Sequence, residues 1–170
     1  HIRLETVERF LPHADFYTID VADAIGQPTN ADRVPKFVDA HPEFIGPRQI
    51  TGIERPLSLT SQELERIAGK YLRAIAQAGT IYRHIARLKG EGQFITEVSM
   101  DETDQSQSPL ELLIILAALA DEQIPLQTIA PKFTGRFNKG VDYEGDLNQF
   151  EKEFRDDLAI LAHARKEYPL

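Results

Sequence analysis

Three stretches of this chain carry side chains that can move protons or hold anions. "TIDVAD" (18–23) ends in Asp20 and Asp23, and "ITEVSMDETD" (95–104) carries Glu97, Ser99, Asp101, Glu102 and Asp104. "PKFTGRFNKGVDYEGD" (131–146) packs Lys132, Arg136 and Lys139 against Asp142, Tyr143 and Asp146, with three glycines between them. Glu97 is the sharpest candidate. It stands inside an apolar run, where an ionised group is costly without a partner or a metal. By strand alternation it shares a face with Ile95 and Ser99. Lys132 follows "TIAP" directly, a place that suits an ammonium meeting an anion. Asp20 and Asp23 serve equally well as caps of the next element, and Asp101, Glu102 and Asp104 read as a solvated loop.

Other chemistries find less support. His84 and His163 fall on expected helices as surface or packing residues, His13 and His41 sit beside prolines, and His1 opens the chain. No HExxH, GxxxxGK[ST] or GxSxG motif occurs, and "GEGQFI" lacks the third glycine of a dinucleotide fingerprint, so no nucleotide cofactor is expected.

The elements that must position these residues alternate. "DFYTIDVAD" (15–23), "QFITEVSM" (93–100) and "PLQTIAPKF" (125–133) read as strands rich in β-branched and aromatic residues. "IRLETVERFL" has helical spacing. A long helix starts at a Thr60/Glu63 capping box and runs to about Leu88, with Gly69 and Gly79 as weak points. Ser108, Pro109 and Glu111 cap the apolar helix "LELLIILAALADEQ". Asp146 and Gln149 open a last helix with Phe150, Phe154, Leu158, Leu161 and Ala162 on its apolar side. Residues 24–58, punctuated by five prolines, read as an irregular insertion with a short strand near 49–54.

This order predicts an α/β fold of parallel βα units, one domain over residues 1–170. It stops where a further strand is due, and a whole (β/α)₈ barrel needs roughly 250 residues, so part of a TIM-like barrel is expected. In such folds ligands bind outside the carboxyl ends of the strands, which is where Asp20, Asp101 and Lys132 fall.

Composition bounds the partners. The 170 residues carry a formal charge of −8 and no cysteine. That balance disfavours nucleic acid, and excludes disulfides and thiolate metal sites. The apolar run "LLIILAALA" is too short to cross a bilayer, so no membrane role and a cytoplasmic setting are expected. A homo-oligomer is compatible with all of this.

"TIDVAD", "TEVSMDETDQSQSPLELLIILAALADEQIPLQTIAPKFTGRFNKGVDYEGD" and the spacing between them resemble the tagaturonate epimerase family. The resemblance covers most of the chain and is densest from Glu97 to Asp146. It implies interconversion of D-tagaturonate and D-fructuronate in hexuronate breakdown, with tagatose 4-epimerases as relatives. It also implies a TIM-like barrel, a small-molecule sugar-acid substrate and a divalent metal. Family members are longer, and their histidine-bearing metal segment has no counterpart in this sequence. By position, the resemblance makes Glu97 a metal ligand or acid/base and Lys132 a contact of the substrate or its oxyanion. Asp101 would share proton transfer, and Asp20, Arg136, Lys139 and Asp142 would bind substrate.

The epimerised carbon lies β to the ketone, so its C–H is not acidified. With no dinucleotide fingerprint, retro-aldol cleavage and re-addition is the expected route. Two alternatives remain at this level. One is a barrel aldolase or isomerase of a phosphorylated sugar, using a glycine nest at 134–140. The other is an inactive fragment that assembles with itself.

Overall fold

The computed structural model describes residues 2–101, 103 and 105–170. Its centre is a three-stranded parallel sheet, β1 (Phe16–Asp20), β4 (Ile95–Ser99) and β5 (Thr128–Ala130), in the order β1-β4-β5. The register sets Thr18 beside Glu97 and Glu97 beside Thr128; one rung further on, Asp20, Ser99 and Ala130 align. Parallel pairing needs crossovers, and helices supply them.

Helix α3 (Ser61–Lys89) joins β1 to β4, after the segment that carries α2 (Arg33–Ala40) and the antiparallel pair β2 (Gly46–Arg48) and β3 (Leu57–Leu59). Helix α4 (Pro109–Asp121) joins β4 to β5, and α5 (Leu147–Glu167) follows. The expected caps form. Thr60 accepts from the Glu63 amide and Ser108 from the Glu111 amide, each with its glutamate returning the bond. Asp146 accepts from Asn148 and Gln149. Residues 111–120 of α4 are buried all round, between α3 and α5. That follows from its near-continuous apolar sequence.

The sheet is covered on one face only. Tyr17, Ile19, Thr96 and Val98 are buried on the side that joins the core. Of the alternate residues only Ser99 is buried; Thr18, Asp20 and Glu97 are half-buried, and Phe16 is 48% exposed and Ile95 45%.

Five expectations need correction. "IRLETVERFL" holds a single helical turn, α1 (Leu4–Val7), before irregular turns. The segment 24–58 is more regular than its prolines suggest, because Pro35 sits in the first turn of α2, where no helical N–H is lost. No strand forms at 49–54. Instead β2 and β3 pair across that stretch, with Gly52 at φ +94° in the connection and Gln49 donating from its amide to the Ile50 and Ile53 carbonyls. On α5, Phe154 and Leu158 are about half exposed, and Asp157, Ile160 and Ala164 form the covered side. The "QFITEVSM" and "PLQTIAPKF" strands are real but shorter at both ends.

His41, at the end of α2, fastens this segment to the helices. Its Nδ1 lies 2.8 Å from Glu43 and its Nε2 3.0 Å from Asp121 at the end of α4. Tyr168, beyond α5, donates to the same Glu43 carboxylate at 3.1 Å. Burial pushes the imidazole pKa down, but the hydrogen bonds and charges of Asp121 and Glu43 outweigh it and hold it above the usual histidine range.

Candidate functional site

The uncovered sheet face and the strand ends form a cleft of about 480 Å³, lined by Ile2, Thr18, Asp20, Glu97, Ser99, Asp101 and Ala130. Each polar lining residue arrives by a simple local rule. Thr18 and Asp20 alternate with buried Tyr17 and Ile19 on β1; Glu97 and Ser99 alternate with buried Thr96 and Val98 on β4. Asp101 continues past the carboxyl end of β4.

Hydroxyls orient the carboxylates. Thr18 Oγ1 donates to Glu97 Oε1 at 2.8 Å, across the parallel register. Ser99 Oγ donates to Asp101 Oδ1 at 2.6 Å. Asp20 Oδ1 accepts from the Ala22 amide at 3.0 Å, at the start of the short turn Ala22–Ala24. The cleft thus gathers three carboxylates with two hydroxyls. Such a surface accepts hydrogen bonds from a polyol and offers bases to its hydroxyl protons.

Lys132, Arg136, Lys139 and Asp142 do not line this cleft. Lys132 stands in the segment after β5, with its backbone pinned by buried Gln107. The Lys132 amide donates to Gln107 Oε1, and the Gln107 amide donates to the Lys132 carbonyl at 3.2 Å. Gln107 Nε2 also contacts the Met100 carbonyl and Thr103 Oγ1, both at 3.4 Å. One side chain therefore sews the loop after β4 to the loop after β5. Nothing in "DETDQSQS" distinguishes Gln107 from its polar neighbours, so sequence reasoning passed over it. Thr18 was missed too, although its place two residues before Asp20 on a strand signals the shared face.

The glycine-rich loop is closed by its own backbone and by Tyr143. Arg136 and Glu144 exchange backbone hydrogen bonds at 2.9 and 3.3 Å, which closes residues 136–144 into a tight excursion. Tyr143 folds back and donates to the Thr134 carbonyl at 2.9 Å. A Cβ at Gly135 would lie 2.6 Å from ring atoms of Tyr143, and one at Gly145 meets the same ring. Gly135, at φ +89°, therefore makes room for Tyr143. Glu153 of α5 accepts from the Thr134 amide at 2.8 Å and from its hydroxyl at 2.5 Å. Burial pushes the Glu153 carboxyl up, but these bonds and one from Gln149 outweigh it and hold it below the usual range. Arg136, Lys139 and Asp142 are exposed on this loop. Glu102, Asp104 and His1 lie outside the described residues.

Among the described residues no three carboxylates or histidines stand close enough to share a metal ion. These residues therefore do not form a metal site by themselves.

Fold and site define a parallel α/β protein whose open sheet face presents carboxylates and hydroxyls. Residues 17–170 match the family described as tagaturonate epimerase, and the chain belongs to that family. It is 30% identical over 149 residues to the tagaturonate/fructuronate epimerase of Thermotoga maritima, a match over 82% of this chain and 30% of the relative. Two crystal structures of the fructuronate-tagaturonate epimerase of Cohnella laeviribosi share the fold. The one-glycerol complex matches with a TM-score of 0.77 at 21% identity over 97% of this chain and 36% of that one. The native form gives 0.76 at 22% over 96% and 36%. The chain thus spans about a third of the length of the relatives it matches. No helix among the described residues is long and apolar enough to cross a membrane.

Proposed function

We propose that the protein carrying this chain interconverts D-tagaturonate and D-fructuronate by retro-aldol cleavage and re-addition, on a TIM-like barrel of which these βα units form part. The observation that carries the reading is Glu97. In a family named for this epimerisation, it is a hydrogen-bonded carboxylate on the uncovered sheet face, in one cleft with Asp20 and Asp101.

Glu97 takes the proton of the β-hydroxyl. The bond between the α and β carbons breaks, the β carbon becomes an aldehyde, and the electron pair enters an enediolate on the ketone half. The aldehyde turns over, the enediolate adds to its other face, and Glu97 returns the proton. Atoms and electrons balance without an external oxidant. Asp101, held by Ser99, shares the proton transfer, and Asp20 binds a substrate hydroxyl. Lys132, with its backbone fixed by Gln107, serves the oxyanion or the substrate carboxylate. Arg136, Lys139 and Asp142 meet the substrate at the loop. Metal dependence belongs to the same proposal, with Glu97 as the carboxylate this chain would contribute to a divalent ion held mainly by other residues. A cytoplasmic setting agrees with the absence of cysteine.

The test is NMR observation of the ketouronate mixture with the natural protein and its Glu97→Gln variant. The expected result is equilibration by the wild type and a loss in kcat of about 100-fold or more in the variant. Unchanged kcat would remove Glu97 from the chemistry. Trapping of an isotope-labelled aldehyde supports the cleavage route, whereas a hydride acceptor bound to the active enzyme overturns it.

A further inference from the structure

We infer that Thr18 is a positioning residue that fixes the Glu97 carboxylate for proton transfer, an inference that rests on the role proposed for Glu97. Three observations carry it. The register of β1 and β4 makes Thr18 and Glu97 direct neighbours on the same sheet face. The Thr18 hydroxyl donates to Glu97 Oε1 at 2.8 Å, in the normal range for a bond to a carboxylate. Both residues line the one cleft that gathers the acids.

The chemistry follows from what each group can do. A glutamate side chain has three rotatable bonds, and on an uncovered sheet face it has room to use them. The hydroxyl of Thr18 has one proton to give, and it gives that proton to Oε1. The bond fixes the plane of the carboxylate and leaves Oε2 as the oxygen for a substrate proton. The β-branched threonine is itself restricted at χ1 by its strand backbone, so the donor is preset and not recruited. On the other side of Glu97 the register places Thr128, whereas the 2.8 Å hydroxyl bond to the carboxylate runs from Thr18. The support therefore comes from the β1 side.

The experiment compares wild type, Thr18→Val, Thr18→Ser and Glu97→Gln in the natural protein that carries this chain. Thr18→Val keeps shape and removes the donor. It should lower kcat about 10-fold or more, the usual effect of losing a partner that orients a functional ligand, with KM and melting temperature little changed. Thr18→Ser should restore most of kcat. In the Glu97→Gln background, Thr18→Val should add almost nothing, because the two residues act as one unit. Wild-type kcat in Thr18→Val, equal damage from Val and Ser, or full additivity with Glu97→Gln would each overturn the inference. A crystal structure of Thr18→Val reads the positioning without any turnover: the Glu97 carboxylate should adopt another rotamer, and an unmoved carboxylate overturns the inference. A wild type that fails to equilibrate the ketouronates defeats the proposed function, and the crystal structure still decides on Thr18.

Discussion

Asp157 stands on the covered side of α5 with 8% of its surface exposed. Burial pushes its carboxyl up to about 7, and the charges of Glu153 one turn back and Asp156 beside it push the same way. The folded state therefore holds a proton there that the unfolded chain releases near pH 4. Between those values the native state binds more protons, so this residue's contribution to stability falls as pH rises from about 4 to 7, by up to a few kcal/mol. Asp157→Asn should thus be more stable than wild type at pH 8, with the difference closing toward pH 5. Urea unfolding at the two pH values checks this, and a parallel pair of stability profiles would refute it. At this scale the sequence was informative where a residue broke a pattern. Glu97 interrupts an apolar strand, and alternation placed it on the same face as Ile95 and Ser99. Asp157 was invisible because the covered face of α5 was read one step off, through Phe154 and Leu158. Gln107 was invisible because the partner that matters, the Lys132 backbone, lies 25 residues away in the loop after another strand.

Helix α3 contains two glycines that the sequence marks alike and the structure separates. A Cβ at Gly69 meets nothing within 4 Å, so Gly69→Ala should simply reduce the freedom of the unfolded chain and stabilise by about 0.5–1 kcal/mol. A Cβ at Gly79 would run into Glu122 Oε2 and the Arg83 guanidinium. That carboxylate already holds Arg83 at 2.9 Å and also Arg33. Gly79→Ala should therefore be neutral or destabilising, and chemical denaturation of both variants should rank them in that order. The reverse order would mean that the Glu122 contacts contribute little. Element by element, legibility followed the range of the signal. The caps at Thr60, Ser108 and Asp146 are local, within three residues, and could be read directly. β2 and β3 hold only through pairing with each other, and α2 is eight residues long with a proline in it. Their determinants are tertiary, including the His41 clasp to Asp121, and the prolines masked them. Pro47 is compatible with β2 because the two-stranded ribbon consists of edge strands.

For the whole molecule, the informative feature is that the sheet has a dry side and an open side. The sequence supports this only indirectly, because β4 reads as nearly apolar and parallel strands are usually buried on both faces. The open face is where the carboxylates are, so what lies opposite them decides whether the cleft can work. Within the described residues the cleft is lined by one sheet face, the ends of its three strands and Ile2, and no cation lines it. Retro-aldol chemistry releases an aldehyde and an enediolate that must stay together and away from solvent until they recombine. A face open to water does neither. We therefore expect the 170 residues expressed alone to leave a tagaturonate–fructuronate mixture unchanged while remaining folded by circular dichroism. A protein of the relatives' length, about three times as long, is expected to equilibrate it in the same assay. Turnover by the 170 residues alone, abolished by Glu97→Gln, would show that one acid-lined sheet face suffices, and the need for an enclosing wall would have to be given up.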